Sequence, residues 1–133
     1  MIYKIDRIVT IEEALLCEEH KVPYIGVCLD MSEAICQPVH LRKVNIEQAL
    51  EIRSRLSSTK VVFELPILKM TKSHFQFLRD YEIDYVQLFF NVGLEEKDLQ
   101  NLREASIQLF ITGQDIGPDD DPTWLIPPFL EAN

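Results

Sequence analysis

The sequence predicts an α/β fold, a parallel (βα)4-5 array, on three observations. Short apolar runs alternate with longer amphipathic stretches. The repeat length is roughly 25 residues, the size of a strand, a helix and their turns. The runs are continuously apolar rather than alternating, which marks strands covered on both faces and therefore a parallel sheet. Each connection is then a right-handed crossover. An open doubly wound, flavodoxin-like sandwich satisfies the same pattern and stands as the alternative.

The elements come in order. Ile2 to Ile5 is the first run. Thr10 with Glu13 three residues on makes a capping box that opens a helix, with Ala14, Leu15 and Cys17 as its buried side. The second run, PYIGVCL, covers Pro23 to Leu29, and a long mixed connection leads from Asp30 to Lys43. Asn45 and Gln48 form a second capping box before IEQALEIRSRL, where Ile46, Ala49, Leu50, Ile52 and Leu56 hold helical spacing. Arg53 shares that stripe and is expected to lay its stem on apolar surface while keeping its head wet. Val61 to Leu65 is the third run. Thr71 opens a helix reaching Tyr81, with Phe75, Leu78 and Tyr81 inward and His74 facing solvent. Tyr85 to Phe90 is the fourth run, Leu94 to Glu104 the fourth helix with Leu99 and Leu102 inward, and Ile107 to Ile111 the fifth run.

Residues 1–113 therefore read as the βα-repeat domain. The last twenty residues differ: they hold four of the seven prolines, the acidic triplet Asp119 to Asp121 and the single tryptophan, Trp124. Such a segment is neither a regular helix nor a central strand. It is expected to be a tail packed on the domain, or else docked on a partner.

Composition limits function. The chain has 133 residues, enough for one domain with its own core but too few for a complete eight-stranded barrel, which needs ~250 residues. Its net charge of -9 excludes a nucleic-acid footprint and disfavours an anionic membrane surface. No run is long enough to span a bilayer, and the N-terminus carries no secretory pattern. Three cysteines at irregular spacing suit reduced thiols, so a cytoplasmic location is expected. Only four glycines leave few turns able to cradle a phosphate.

Five segments carry a resemblance. KIDRIVTIEEA at the first strand resembles the K-I-C-G-I-T-x-x-E-D-A opening of phosphoribosylanthranilate isomerases. PYIGVCL, HLRKVNIEQALEI, VVFEL and DYVQLFF resemble that family's A-I-G-F-V-F, S-P-R-Y-V-x-x-E-Q-A, G-V-F-V-N and D-V-V-Q-L-H-G, in the same order and spacing. The similarity covers residues 2 to about 111, the first five of the family's eight βα units. It implies a partial TIM barrel and a relation to an Amadori rearrangement of a phosphoribosyl aminoaldose in tryptophan biosynthesis. The family's general base is a cysteine at the end of the first strand, where this chain has Asp6, followed by Arg7 in place of glycine. A carboxylate can serve as a base where its pKa suits. The family's substrate-binding arginine is matched by Arg42. Its His-Gly is replaced by Phe89 and Phe90, and its asparagine after the third strand by Leu65 or Pro66. Its general acid and phosphate cup belong to units beyond the fifth. The resemblance therefore implies a degenerate relative, not a competent isomerase alone, or else part of an isomerase active when the barrel is completed.

Carboxyl ends of parallel strands collect functional groups. Here they carry Asp6, Arg7, Asp30, Glu64, Asn91 and Gln114, with Arg42 in a loop of the same end. Together these suit a small anionic, sugar-like ligand. The alternative is a solvated polar rim in which Asp6 and Arg7 pair as neighbours. Cys28, Asp30, Cys36 and His40 match no zinc spacing, so neither a metal nor another cofactor is expected. His20, at a helix C-terminus, reads as a structural cap. An incomplete barrel leaves strand edges and an inner face of Val, Ile, Leu and Phe uncovered. The expected partner is a second copy of the chain or a complementing barrel half.

Overall fold

A computed structural model describes residues 3–31, 42–89 and 92–112. Five strands alternate with four helices: β1 (Lys4–Ile5), α1 (Ile11–Glu19), β2 (Tyr24–Cys28), α2 (Ile46–Ser54), β3 (Lys60–Glu64), α3 (Lys72–Asp80), β4 (Tyr85–Phe89), α4 (Glu96–Glu104) and β5 (Gln108–Thr112). Every element expected from the apolar runs is present, and every pairing within a unit is parallel. No helix among the described residues is long and apolar enough to cross a membrane.

The chain divides into two compact units, Met1–Pro66 and Ile67–Asn133. In the first, strand order follows chain order, β1-β2-β3. Ile5 pairs with Ile25 and Cys28 with Glu64. The order never reverses there, so this unit lacks the switch point of a doubly wound sheet. In the second unit β4 pairs with β5, Tyr85 opposite Gln108 and Phe89 opposite Thr112.

The first unit's register decides where its side chains go. Successive residues of a strand point to opposite faces. Ile25, Val27, Val61 and Phe63 therefore share one face, and all four are buried. That face meets α2, since the Arg53 guanidinium lies 5.6 Å from the Phe63 ring centroid. Ala49 and Ile52 of α2 are buried, as their spacing predicts. The other face carries Lys4, Tyr24, Gly26, Cys28, Lys60, Val62 and Glu64, with Asp6 just beyond β1 reaching over Gly26. An inner face of Val, Ile, Leu and Phe was the expectation, and in this unit it is wrong. The strand runs look continuously apolar because most of their branched and aromatic residues fill the helix-facing positions, while the alternate ones mix Tyr24, Gly26, Cys28 and Val62 with the charges Lys4, Lys60 and Glu64.

Caps set the helix limits. Thr10 Oγ1 accepts the Glu13 N–H at 3.1 Å, and Glu13 Oε1 accepts the Thr10 N–H at 3.2 Å. Asn45 and Gln48 exchange the same two bonds at 2.8 and 3.0 Å. In the second unit, His74 and Asp98 take the third position of α3 and α4. Each accepts the cap residue's N–H, Thr71 to His74 Nδ1 at 3.0 Å and Glu95 to Asp98 Oδ2 at 2.9 Å. His74 is therefore buried, not solvent-facing as its position suggests. Leu15 also departs from expectation: Ala14 and Cys17 turn inward on α1, and Leu15 stays exposed.

Three helices end alike. Lys21, Glu82 and Ser106 have φ of 59°, 51° and 58°. Each comes after a helix, and the N–H of the next residue, Val22, Ile83 or Ile107, reaches back to Cys17, Leu78 or Leu102 respectively, at 2.9 to 3.0 Å. That is the Schellman turn, which usually takes glycine at the left-handed position. Here polar side chains occupy it, succeeded each time by a buried branched residue.

Candidate functional site

The first unit's charged face forms the candidate site. Lys4 precedes Asp6 by two residues, so both project from the same side of β1. Their ammonium and carboxylate form an ion pair. Arg7 takes a left-handed backbone, φ 64°, as the chain leaves β1. That bend turns its guanidinium towards β3, where NH2 lies 3.3 Å from Glu64 Oε2 and 3.4 Å from Oε1. The expected pairing of Asp6 with Arg7 is therefore absent. Each has another partner instead, Asp6 its neighbour Lys4 on the same side of β1 and Arg7 the cross-strand Glu64.

Gly26 makes this arrangement possible. A Cβ built there would stand 2.4 Å from Asp6 Oδ1 and 3.3 Å from Lys4 Nζ. The residue has no φ constraint; it is the space over β2 that Asp6 and Lys4 use.

Burial and charge set the ionisation of the cluster. Burial pushes the Lys4 ammonium down to about 8, with Glu64 opposing the shift and Arg7 adding to it. Burial and then the Glu64 charge push the Cys28 thiol up to about 12. Cys28 is thus a neutral strand-core thiol rather than a nucleophile. Glu64 is only 5% exposed, a buried carboxylate and not part of a solvated rim.

Arg42 stands apart from this cluster. Its Nε donates to the Arg7 carbonyl at 2.9 Å, and its guanidinium pairs with Glu13 in the first turn of α1. The Glu13 carboxyl is held below its ordinary value, first by the Val9 N–H and further by Arg42. Asp30 is exposed just beyond β2, and its N–H donates to the Val44 carbonyl at 2.8 Å. Asn91, Gln114, Phe90, Cys36, His40 and the tail from 114 to 133 lie outside the described residues. Among the described residues no three His, Cys, Asp or Glu side chains gather to hold a metal ion. His20 Nδ1 lies 3.0 Å from the Leu16 carbonyl, closing the end of α1.

Of the expected residues, the structure brings Asp6, Arg7 and Glu64 onto one surface and leaves Arg42 beside it. Lys4 and Gly26 were missed. The signal for Lys4 was present, since a strand repeats every second residue and Lys4 is two before Asp6.

No family model matches the sequence, and no curated protein sequence matches it. Among solved structures, the phosphoribosylanthranilate isomerase of Thermus thermophilus is similar, with a TM-score of 0.66 and 18% identity. The match covers 93% of this chain and 56% of that one, so this chain spans just over half the length of its structural neighbour. The fold is accordingly a partial TIM-barrel array of parallel βα units.

Proposed function

We propose that the chain is a degenerate phosphoribosylanthranilate isomerase-like domain. It does not carry out the isomerisation alone, and serves as an assembly or small-anion-binding domain. One observation carries this reading. Both groups that the resemblance assigns to substrate are already engaged within the chain, Asp6 by Lys4 and Arg42 by Glu13. A carboxylate already paired with an ammonium has less to offer a substrate proton than a free one. An arginine paired to a carboxylate has less charge to offer a substrate anion. The test is direct: supply phosphoribosylanthranilate to the purified chain and monitor its loss of fluorescence. No turnover above the uncatalysed rate is expected, and turnover by the chain alone would refute the proposal.

The fold likeness over 93% of the chain favours a second reading, an isomerase part completed by further βα units. Asp6 would then be the base and Arg42 would hold the substrate carboxylate. In an assembly that has activity, Asp6→Asn should lower the rate roughly 10²-fold or more. An unchanged rate would remove Asp6 from that role. Both readings include a partner, a second copy or a complementing half, and light scattering of the purified chain tests for one. A clean monomer that binds no apolar dye would sink the assembly role.

A further inference from the structure

At the amino end of β3, far along the strand from Glu64, the turn Ser57-Ser58-Thr59 presents its donors to one oxygen. The N–H groups of Ser57, Ser58 and Thr59 reach Glu18 Oε1 at 2.8, 2.7 and 3.0 Å. The Ser58 and Ser57 hydroxyls approach the same atom at 3.2 and 3.5 Å. Successive backbone N–H groups converging on one point form a nest, a concavity that binds anions. The turn has supports besides Glu18. Thr59 Oγ1 donates to the Val22 carbonyl at 2.8 Å, and the Lys60 N–H donates to the Pro23 carbonyl at 2.9 Å. The donors are therefore held in place by β2 and its approach. These N–H groups, Ser58 first, hold the Glu18 carboxyl down at about 2. Ser57 and Ser58 are exposed, so dissolved ions can reach the nest.

We propose that the Ser57–Thr59 turn is an oxyanion-binding site with Glu18 as its built-in occupant, open to small carboxylates or phosphate when Glu18 leaves. α2 is the described helix that lacks the Schellman ending, and this turn lies directly after it in the chain. The site is independent of the charged cluster at the other end of β3 and does not rest on the isomerase-like reading.

The test uses the full chain with Glu18→Ala. Sodium acetate and inorganic phosphate are titrated separately against chloride at constant ionic strength. The readouts are the amide resonances of Ser57, Ser58 and Thr59 and the melting temperature. Saturable shifts at those three amides are expected in the variant, with a melting temperature that rises with the anion. Wild type should respond at least about tenfold more weakly, because its own carboxylate competes. Tighter phosphate than acetate assigns the site to phosphate esters, and the reverse assigns it to carboxylates. Glu18→Gln keeps an oxygen on the donors without the charge and should fall between the two. It carries the test should Glu18→Ala fail to fold. A folded variant with no saturable shift, or one that responds no more than wild type, overturns the proposal.

Discussion

The two units solve the same problem, burying one parallel sheet, with different chemistry. On the face opposite α2, the first unit places Lys4, Tyr24, Gly26, Cys28, Lys60, Val62 and Glu64, with Asp6 reaching over Gly26. On β4 and β5 the corresponding alternate set is Tyr85, Gln87, Phe89, Gln108 and Phe110, with the Tyr85 and Phe110 rings 6.5 Å apart and edge-on. The second unit does bury titratable groups, His74 and Asp98, but each satisfies the N–H at its own helix start. The first unit spreads its charges across strands, so Arg7 and Glu64, 57 residues apart, depend on each other. Local caps are formed as soon as the helix forms. A cross-strand ion pair exists only once the sheet is registered.

The largest expected effect breaks that dependence. Glu64→Ala removes a buried carboxylate and leaves the Arg7 guanidinium, 24% exposed, facing the gap. Loss of the buried partner should cost about 2–3 kcal/mol, because the partly exposed guanidinium keeps contact with water. Urea unfolding should show it. Phe89→Leu in the second unit trims a buried ring to a smaller apolar side chain and should cost less, about 1–1.5 kcal/mol. Similar costs at the two positions would mean that the ionic face is no more interdependent than the apolar one.

Much of this was legible in the sequence. The four helices and five strands are readable from apolar runs and capping boxes, because those signals are local. The division of polar and apolar residues between faces was not read, since a run such as VVFEL looks uniformly buried until register assigns alternate residues to different sides. Of the site, Asp6, Arg7 and Glu64 were visible as strand-end residues. Their partners were not, because pairing depends on the left-handed turn at Arg7 and on the space above Gly26. His74 misled for a related reason: a polar residue in the first turn of a helix reads as exposed, yet it caps Thr71 and is buried by doing so.

Next in size is Lys4. Its pKa lies near 8 in the folded chain against 10.5 when unfolded. Between these values the unfolded state binds more protons, so stability rises with pH from about 8 to about 10.5. Below that window the folded chain carries the full cost of a buried ammonium. Lys4→Met should abolish the rise and leave the protein between unchanged and about 2 kcal/mol more stable at neutral pH. Denaturation at a series of pH values checks both. A rise that persists in the variant would place the titration elsewhere.

Gly26→Ala tests the same cluster more gently. The added methyl needs the space of the Asp6 carboxylate, which is half exposed and can swing outwards. The cost should be about 1 kcal/mol, near the low end for overpacking. Lys4 would lose its Asp6 partner, and the resonance of an isotopically labelled Nζ should shift as the ammonium moves. An unmoved Nζ resonance would show that the methyl fits without displacing Asp6.

The smallest effects concern what the units share. Lys21 in the first, and Glu82 and Ser106 in the second, all adopt the left-handed conformation that costs a residue with a Cβ about 1 kcal/mol. Glycine removes that strain but adds freedom to the unfolded chain, which costs about 0.4–1 kcal/mol, so the net gain should be about 0–0.6 kcal/mol at each position. The three turns have the same bonds and the same kind of buried residue after them, so the gains should be alike and should add when combined. Melting curves of Lys21→Gly, Glu82→Gly, Ser106→Gly and the triple variant measure this. A gain missing only at Lys21 would mean that the first unit uses that side chain, because the backbone geometry is common to all three.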